Sequence, residues 1–497
     1  MTLNSSSAWL APAALAQKFR YVMRDSLNYS GRAPYHPTFA HSDAQREQFF
    51  FLLFIFMLPF SRLPLLDNNL FGIQGFKPFN LLSGVVLAYL VFQSRLLHAT
   101  DKIEQRSIRL FLLYFATFTV ALIRSIPNAP LLHSRAPNSF AESYLDFTLS
   151  SCVVPAFYAL PFLFILKRMC SFQELERITT VICLSILSLS IAFITLVLMN
   201  PSVLLSGSPD EMTDLAAGDS RMAAGGINEL CATYFGIHYN TIGTIYICTI
   251  PLLLHRALKR GAFWIVPLGL SLLAVLLLES RSALVTVAAS CSLFLILRRR
   301  FVILVLGAAA AGVTSFLWIG PTVAALLSIG FGDSSAVSAD SLLTGRVEYV
   351  WAPLLNEWTS NIGLFLLGAG RYGVVTSELW HTGALIQVTH AHNAIIDFFL
   401  DCGVILTSVL LVFLCVGTAT AWRVGRRLNS DLYWALFACI FGFGVGMATE
   451  REIFPTAANM YVFPIIAMMI NLARLRYLDF CRSLSSPTNC LTRCEAP

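Results

Sequence analysis

The run His390-Ala391-His392-Asn393 places two imidazoles and an amide within four residues, and Asp397 and Asp401 follow at i, i+4 spacing. Histidine is the side chain that exchanges protons near neutral pH. A histidine pair ahead of a helix face carrying Asn393, Asp397 and Asp401 suits work on a hydroxyl, either accepting its proton or orienting it. A hydrogen-bonded structural histidine is the plainer reading of the same residues. HxH with carboxylates can also bind zinc, but spacing places no third ligand, so no metal is expected.

Arginine supplies a second set of candidates, because its planar fork of donors matches phosphate. Arg281 stands in Glu279-Ser280-Arg281-Ser282. Arg221 precedes Gly225-Gly226, whose backbone N–H groups could help hold an anion. Arg346 lies in Thr344-Gly345-Arg346, and Arg371 in Gly368-Ala369-Gly370-Arg371-Tyr372-Gly373. The bland alternatives are snorkelling to an interface, pairing of Glu279 with Arg281, and a plain flexible connector around Arg221. The glycine-rich run follows no strand of a βαβ unit and is not read as a nucleotide loop.

The elements that must position these groups are apolar. The chain is 56% hydrophobic and 12% charged, with a mean hydropathy of +0.69, whereas soluble domains carry roughly a quarter charged residues. This composition predicts an all-α polytopic membrane protein. Runs near the length a span needs fall at about 48–63, 79–97, 107–126, 147–166, 178–199, 231–254, 262–279, 282–297, 302–327, 393–420, 432–449 and 456–473. The distribution of basic residues supports about twelve transmembrane helices with both ends in the cytoplasm. With that orientation 25 of the 34 Lys and Arg residues face inward and 9 outward, as the positive-inside rule requires. The net charge of +6 comes from short clusters between apolar runs, so no nucleic-acid partner is expected.

Three regions follow: a cytoplasmic tail at 1–47, a membrane domain at 48–475, and a cytoplasmic tail at 476–497. The one long polar stretch is an outer loop at 329–392, between the ninth and tenth helices. Loops held on a rigid scaffold are where chemistry concentrates. Within the loop, Thr344 to Leu355 has the spacing of an amphipathic helix lying on the membrane surface. Trp351, Trp358, Tyr372 and Trp380 read mostly as an interfacial belt. The run from 261 to 297 lies between two inward basic clusters. It must cross and return in two helices of about 18 residues, about 27 Å each. That length sets the Glu279–Ser282 turn at or below the outer interface, where charged groups need partners or face a cavity. Most of the 12 cysteines sit in apolar runs, none at CxxC spacing, and read as core residues.

Taken together, Ser280-Arg281-Ser282-Ala283-Leu284, Thr344-Gly345-Arg346 with Trp351, Gly368-Ala369-Gly370, and His392-Asn393 with Gly403 resemble the motifs of one family. It is the O-antigen ligase and O-antigen (Wzy-type) polymerase superfamily of bacterial membrane glycosyltransferases. The resemblance covers about 50–475 and includes the number of spans and the place of the long loop.

The resemblance implies transfer of a glycan from an undecaprenyl-diphosphate carrier to an acceptor sugar hydroxyl, at the periplasmic face of the inner membrane. Neither metal nor other cofactor is implied. By matching motif, Arg281 would bind the diphosphate and His392 would assist the acceptor. Arg221 matches more loosely, and Arg346, Arg371, Glu279, His390 and Asn393 are further substrate-binding candidates. The implied partners are the lipid-linked donor, a glycan or lipid A–core acceptor, the bilayer and other polysaccharide export proteins.

Thr344-Gly345-Arg346 and the N-terminal tail tilt the expectation to a polymerase of exopolysaccharide or O-antigen repeats. A ligase onto lipid A–core is the alternative. A protein O-glycosyltransferase and a polysaccharide or lipid transporter are more distant ones. Against the transporter, the two halves show no repeat, and 100–106 lacks the basic motif expected there.

Overall fold

The computed structural model describes residues 41–64, 77–94, 101–137, 139–169, 171–201, 226–278, 280–305, 307, 347–382, 390–447 and 453–485. The chain divides into two compact units, Met1–Phe49 and Phe50–Pro497. Of the first, only the start of the helix His41–Met57 is described. The second holds every other described element.

Among the described residues the chain is helical and has no strand. Described helices overlap each expected span except 302–327, most of which lies outside the described residues. Among the described residues, four helical runs are long and apolar enough to cross a membrane: Lys102–Arg135, Tyr144–Arg168, Phe172–Met199 and Ala394–Leu428. A fifth is counted if Tyr239–Ile247 and Ile250–Arg260, bent by 41°, form one broken span. Shorter apolar helices add to these, among them Ala262–Leu277, Ser282–Leu297 and Asp431–Gly446. Ile405, Val409, Val412, Phe413 and Val416 on Ala394–Leu428 are exposed, as are Leu112, Leu113, Val120 and Ile123 on Lys102–Ser125. Apolar bands this extensive are costly in water and ordinary in lipid.

Local chemistry sets the helix ends. Ser171 and Glu174 close a capping box at the start of Phe172–Met199. Asp101 accepts from the backbone N–H of Ile103 and Glu104, each at 2.9 Å, at the start of Lys102–Ser125. Several expected spans are broken instead of continuous. A π-turn at Leu149–Val153 interrupts 144–168, in a stretch where Pro155 and Pro161 remove backbone donors. Ala394–Leu428 leaves helical geometry at Gly403 (φ 75°, ψ 176°). Ile265–Leu277 ends a few residues before Arg281–Leu297 begins, but the two helices pack mainly on other partners, the first on Phe172–Met199 and the second on Asp431–Gly446.

One large apolar core joins most of these helices. Among its polar exceptions, the Ser190 hydroxyl meets Tyr246 Oη at 3.0 Å and Ser271 Oγ at 3.1 Å. Near the start of Lys102–Ser125, Glu104 is 1% exposed and pairs with Lys167 Nζ at 2.6 Å and with Arg474 at 3.2 Å. Lys167→Ala removes one of the two cations on Glu104 and leaves Arg474 beside it, so it is expected to destabilise the protein by about 1.5–3 kcal/mol, the range for a hydrogen bond to a charged group. Thermal unfolding in detergent measures this, and Glu104→Leu with Lys167→Met should restore most of the loss.

Residues 347–382 fold onto the protein. Val350, Leu354 and Trp358, at i, i+4, i+8, bury one face of Val347–Ser360 in a second core with Leu132, Phe147 and Val375. The amphipathic face expected at the membrane surface thus meets protein. The expected aromatic belt is likewise internal: Trp358 is 1% exposed, Trp380 is buried, and Trp351 and Tyr372 pack beside them. Two of the indole N–H groups donate to backbone carbonyls. Trp358 Nε1 donates to Leu400 at 3.1 Å and Trp351 Nε1 to Ala391 at 2.6 Å.

Candidate functional site

The break at Gly403 builds the site. With Gly403 out of helical geometry, the carbonyls of Leu400 and Asp401 lose their ordinary partners one turn on. The glycine-rich run takes them: Ala369 N–H donates to Leu400 at 2.8 Å and Gly370 N–H to Asp401 at 3.0 Å. The Asp401 carboxylate then accepts from Gly373 N–H at 2.9 Å. The approach is backbone to backbone. A Cβ on Gly368 would lie 2.4 Å from the Asp401 carbonyl, and one on Gly403 would lie 2.3 Å from the Leu366 oxygen. The glycines of this run serve to seat 366–373 on a kinked helix.

Two arginines hold the same segment. Arg124 donates to the carbonyls of Leu367 and Gly368, the latter at 2.6 Å. Arg135, 7% exposed, donates to Val375 at 2.7 Å and Ser377 at 3.0 Å. Arg135→Ala should cost about 1.5–3 kcal/mol, the range for hydrogen bonds to a charged group. The measurement is proteolysis at 373–378, expected to accelerate in the variant. Arg371 is buried, with its guanidinium carbon 5.4 Å from the Phe118 ring centroid, 5.0 Å from Tyr372 and 5.6 Å from Phe454. Its backbone bonds to Ala121 and Ser125. Arg371 thus sits in an aromatic cage inside the protein.

The histidine pair lies just ahead of the kinked helix. Asn393 caps the helix by accepting from Ile395 and Ile396 N–H, each at 3.1 Å. Asp397, 8% exposed, accepts from Ala391 N–H at 2.7 Å. His392 adopts φ 52°, in the left-handed region. The His390 and His392 rings meet edge to face with centroids 4.0 Å apart. His390 is buried and His392 half-buried. Asp397 and Asp401, one turn apart, therefore each hold a backbone N–H of a different stretch of chain.

Arg281 is the first residue of its helix, after Ser280 as N-cap. Ser280 Oγ also donates to Asn240 Oδ1 at 3.0 Å and meets Ser282 Oγ at 3.2 Å. His238 Nδ1 accepts from Asn240 N–H at 3.2 Å. Sequence reasoning missed Asn240 and His238; the available signal was a His and an Asn at the break inside an apolar run. The side chain of Arg281, and Arg221, Glu279 and Arg346 entirely, lie outside the described residues.

One helix relates the Arg281 turn to the histidines. Asp431–Gly446 runs antiparallel to Arg281–Leu297: Arg298 pairs with Asp431, Gly442 packs on Ser290, and Gly446 lies near Thr286. Met447, which ends that helix, accepts from Ala394 N–H at 2.9 Å. The start of the Arg281 helix and the His390–Asn393 turn thus belong to the same end of the bundle.

Neither family models nor curated proteins match this chain.

An open groove of about 950 Å³ runs along Ala352–Ser360, lined by Glu348, Asn356, Glu357 and Glu378. Its carboxylates disfavour a diphosphate there.

Proposed function

We propose that this chain is a glycosyltransferase of the bacterial inner membrane, with about twelve spans and both termini in the cytoplasm. It moves a glycan from undecaprenyl diphosphate to a sugar hydroxyl at the periplasmic face, as a polymerase of repeat units. The observation that carries the reading is the placement of the Arg281 helix start and the His390–His392 turn at one end of Asp431–Gly446. The basic-residue distribution supports a periplasmic position for that end.

In the proposed reaction the acceptor oxygen bonds to the anomeric carbon as the bond from that carbon to the diphosphate oxygen breaks. The electron pair leaves with the diphosphate. A guanidinium at Arg281 stabilises this developing charge, with Arg221 and Arg346 as further cations of the clamp. His392 receives the hydroxyl proton or orients that hydroxyl, with His390 beside it. Direct displacement inverts the anomeric centre.

The test is a strain lacking the gene, with its surface polysaccharide and lipid-linked intermediates compared with wild type. Single repeat units accumulating on the carrier support the polymerase. Full-length chains stranded on the carrier beside bare lipid A–core would instead make the protein a ligase.

A further inference from the structure

Ala391 lies between the two histidines and is fully buried. Its two peptide groups are gripped from different elements. The His390–Ala391 peptide donates its N–H to Asp397 Oδ1 at 2.7 Å. The Ala391–His392 peptide offers its carbonyl to Trp351 Nε1 at 2.6 Å. Asp397 stands on the first turn of the kinked helix and Trp351 on the 347–360 helical segment. Rotation of either peptide would swing one imidazole away from the other. The left-handed backbone at His392 (φ 52°) is uncommon for a residue other than glycine and is held by these flanking contacts.

We propose that Asp397 and Trp351 are positioning residues: together they clamp the two peptides around Ala391 and so set the imidazoles for the acceptor hydroxyl. This rests on the transfer reading above. Asp397 acts here as a hydrogen-bond acceptor, and Trp351 through its indole N–H. Neither touches the reacting atoms. A displacement of the imidazole by about 1 Å is enough to cost up to about a hundredfold in rate.

The test uses the full-length protein in vesicles, supplied with carrier-linked glycan extracted from a strain lacking the gene. Trp351→Phe removes the N–H and keeps a ring in the core. Asp397→Ala removes the acceptor and Asp397→Asn keeps an oxygen in its place. Trp351→Phe and Asp397→Ala are expected to lower kcat by about tenfold to a hundredfold, with KM within about threefold. Asp397→Asn should retain most of the rate. Added to the residual activity of His392→Ala, Trp351→Phe should cause no further loss, because it acts through His392. If Asp397→Ala fails to insert, Trp351→Phe carries the test alone.

Full rates for Trp351→Phe and Asp397→Ala beside an inactive His392→Ala would overturn the clamp and leave the transfer reading intact. An Asp397→Asn rate as low as that of Asp397→Ala would overturn it too, by showing that charge and not the hydrogen bond matters. Full activity of His392→Ala itself would remove the histidine assignment on which the proposal rests.

Discussion

Arg281→Lys is expected to lower glycan transfer by about a hundredfold to a thousandfold while the protein still inserts and folds, the effect of removing one well-placed donor from a developing anion. The substitution keeps the charge and keeps a good helix former at the first helical position. It also spares the local structure. Ser280 still caps Ala283 N–H and still donates to Asn240. What changes is geometry: a point charge on a flexible stem replaces a rigid two-donor fork. The check is the transfer rate in vesicles at matched protein amounts, with monodispersity in detergent as the control for folding. Undiminished transfer by Arg281→Lys would remove Arg281 from the clamp.

The largest stability effect is expected at Gly403. Gly403→Ala puts a Cβ 2.3 Å from the Leu366 oxygen and 2.5 Å from the Leu367 nitrogen. Those are backbone atoms and cannot swing aside as a side-chain end would. The conformation, φ 75° with ψ 176°, is also one that only glycine adopts without strain. The bonds from Ala369 and Gly370 to Leu400 and Asp401 depend on this contact. The variant should lose about 3 kcal/mol or more, within the range of severe single substitutions. Gly417→Ala, on the same helix with open space at its Cβ, is the control and should be neutral or slightly stabilising. Thermal unfolding in detergent compares the two, and equal melting of both variants would contradict the seating of 366–373 on the kink.

The contrast between these two glycines explains what the sequence could and could not reveal. Apolar runs long enough to span are a property of composition, so their positions are legible, and so is the tight turn before Arg281. A break such as that at Gly403 is not, because a glycine inside an apolar run looks the same whether or not another backbone presses on it. The polar face of Asn393, Asp397 and Asp401 follows from helical spacing. That Asp397 takes the Ala391 N–H and Asp401 the Gly373 N–H depends on how two distant stretches return to the helix. The arginines divide in the same way. Their charge can be read in the sequence, yet Arg124 and Arg135 spend their donors on carbonyls of 367–377. Trp358 and Trp380 have the amphipathic character of interfacial residues, and only the folded 347–382 segment buries them.

The most direct test of the central claim is reconstitution of the purified protein in vesicles with carrier-linked glycan from a strain lacking the gene, following both the sugar chain and the carrier. The transferase account predicts longer glycan chains, with one undecaprenyl diphosphate released for every bond formed and no added metal or nucleotide sugar required. Movement of intact carrier-linked glycan across the bilayer, with no chain growth and no carrier released, would contradict it and point to a transporter.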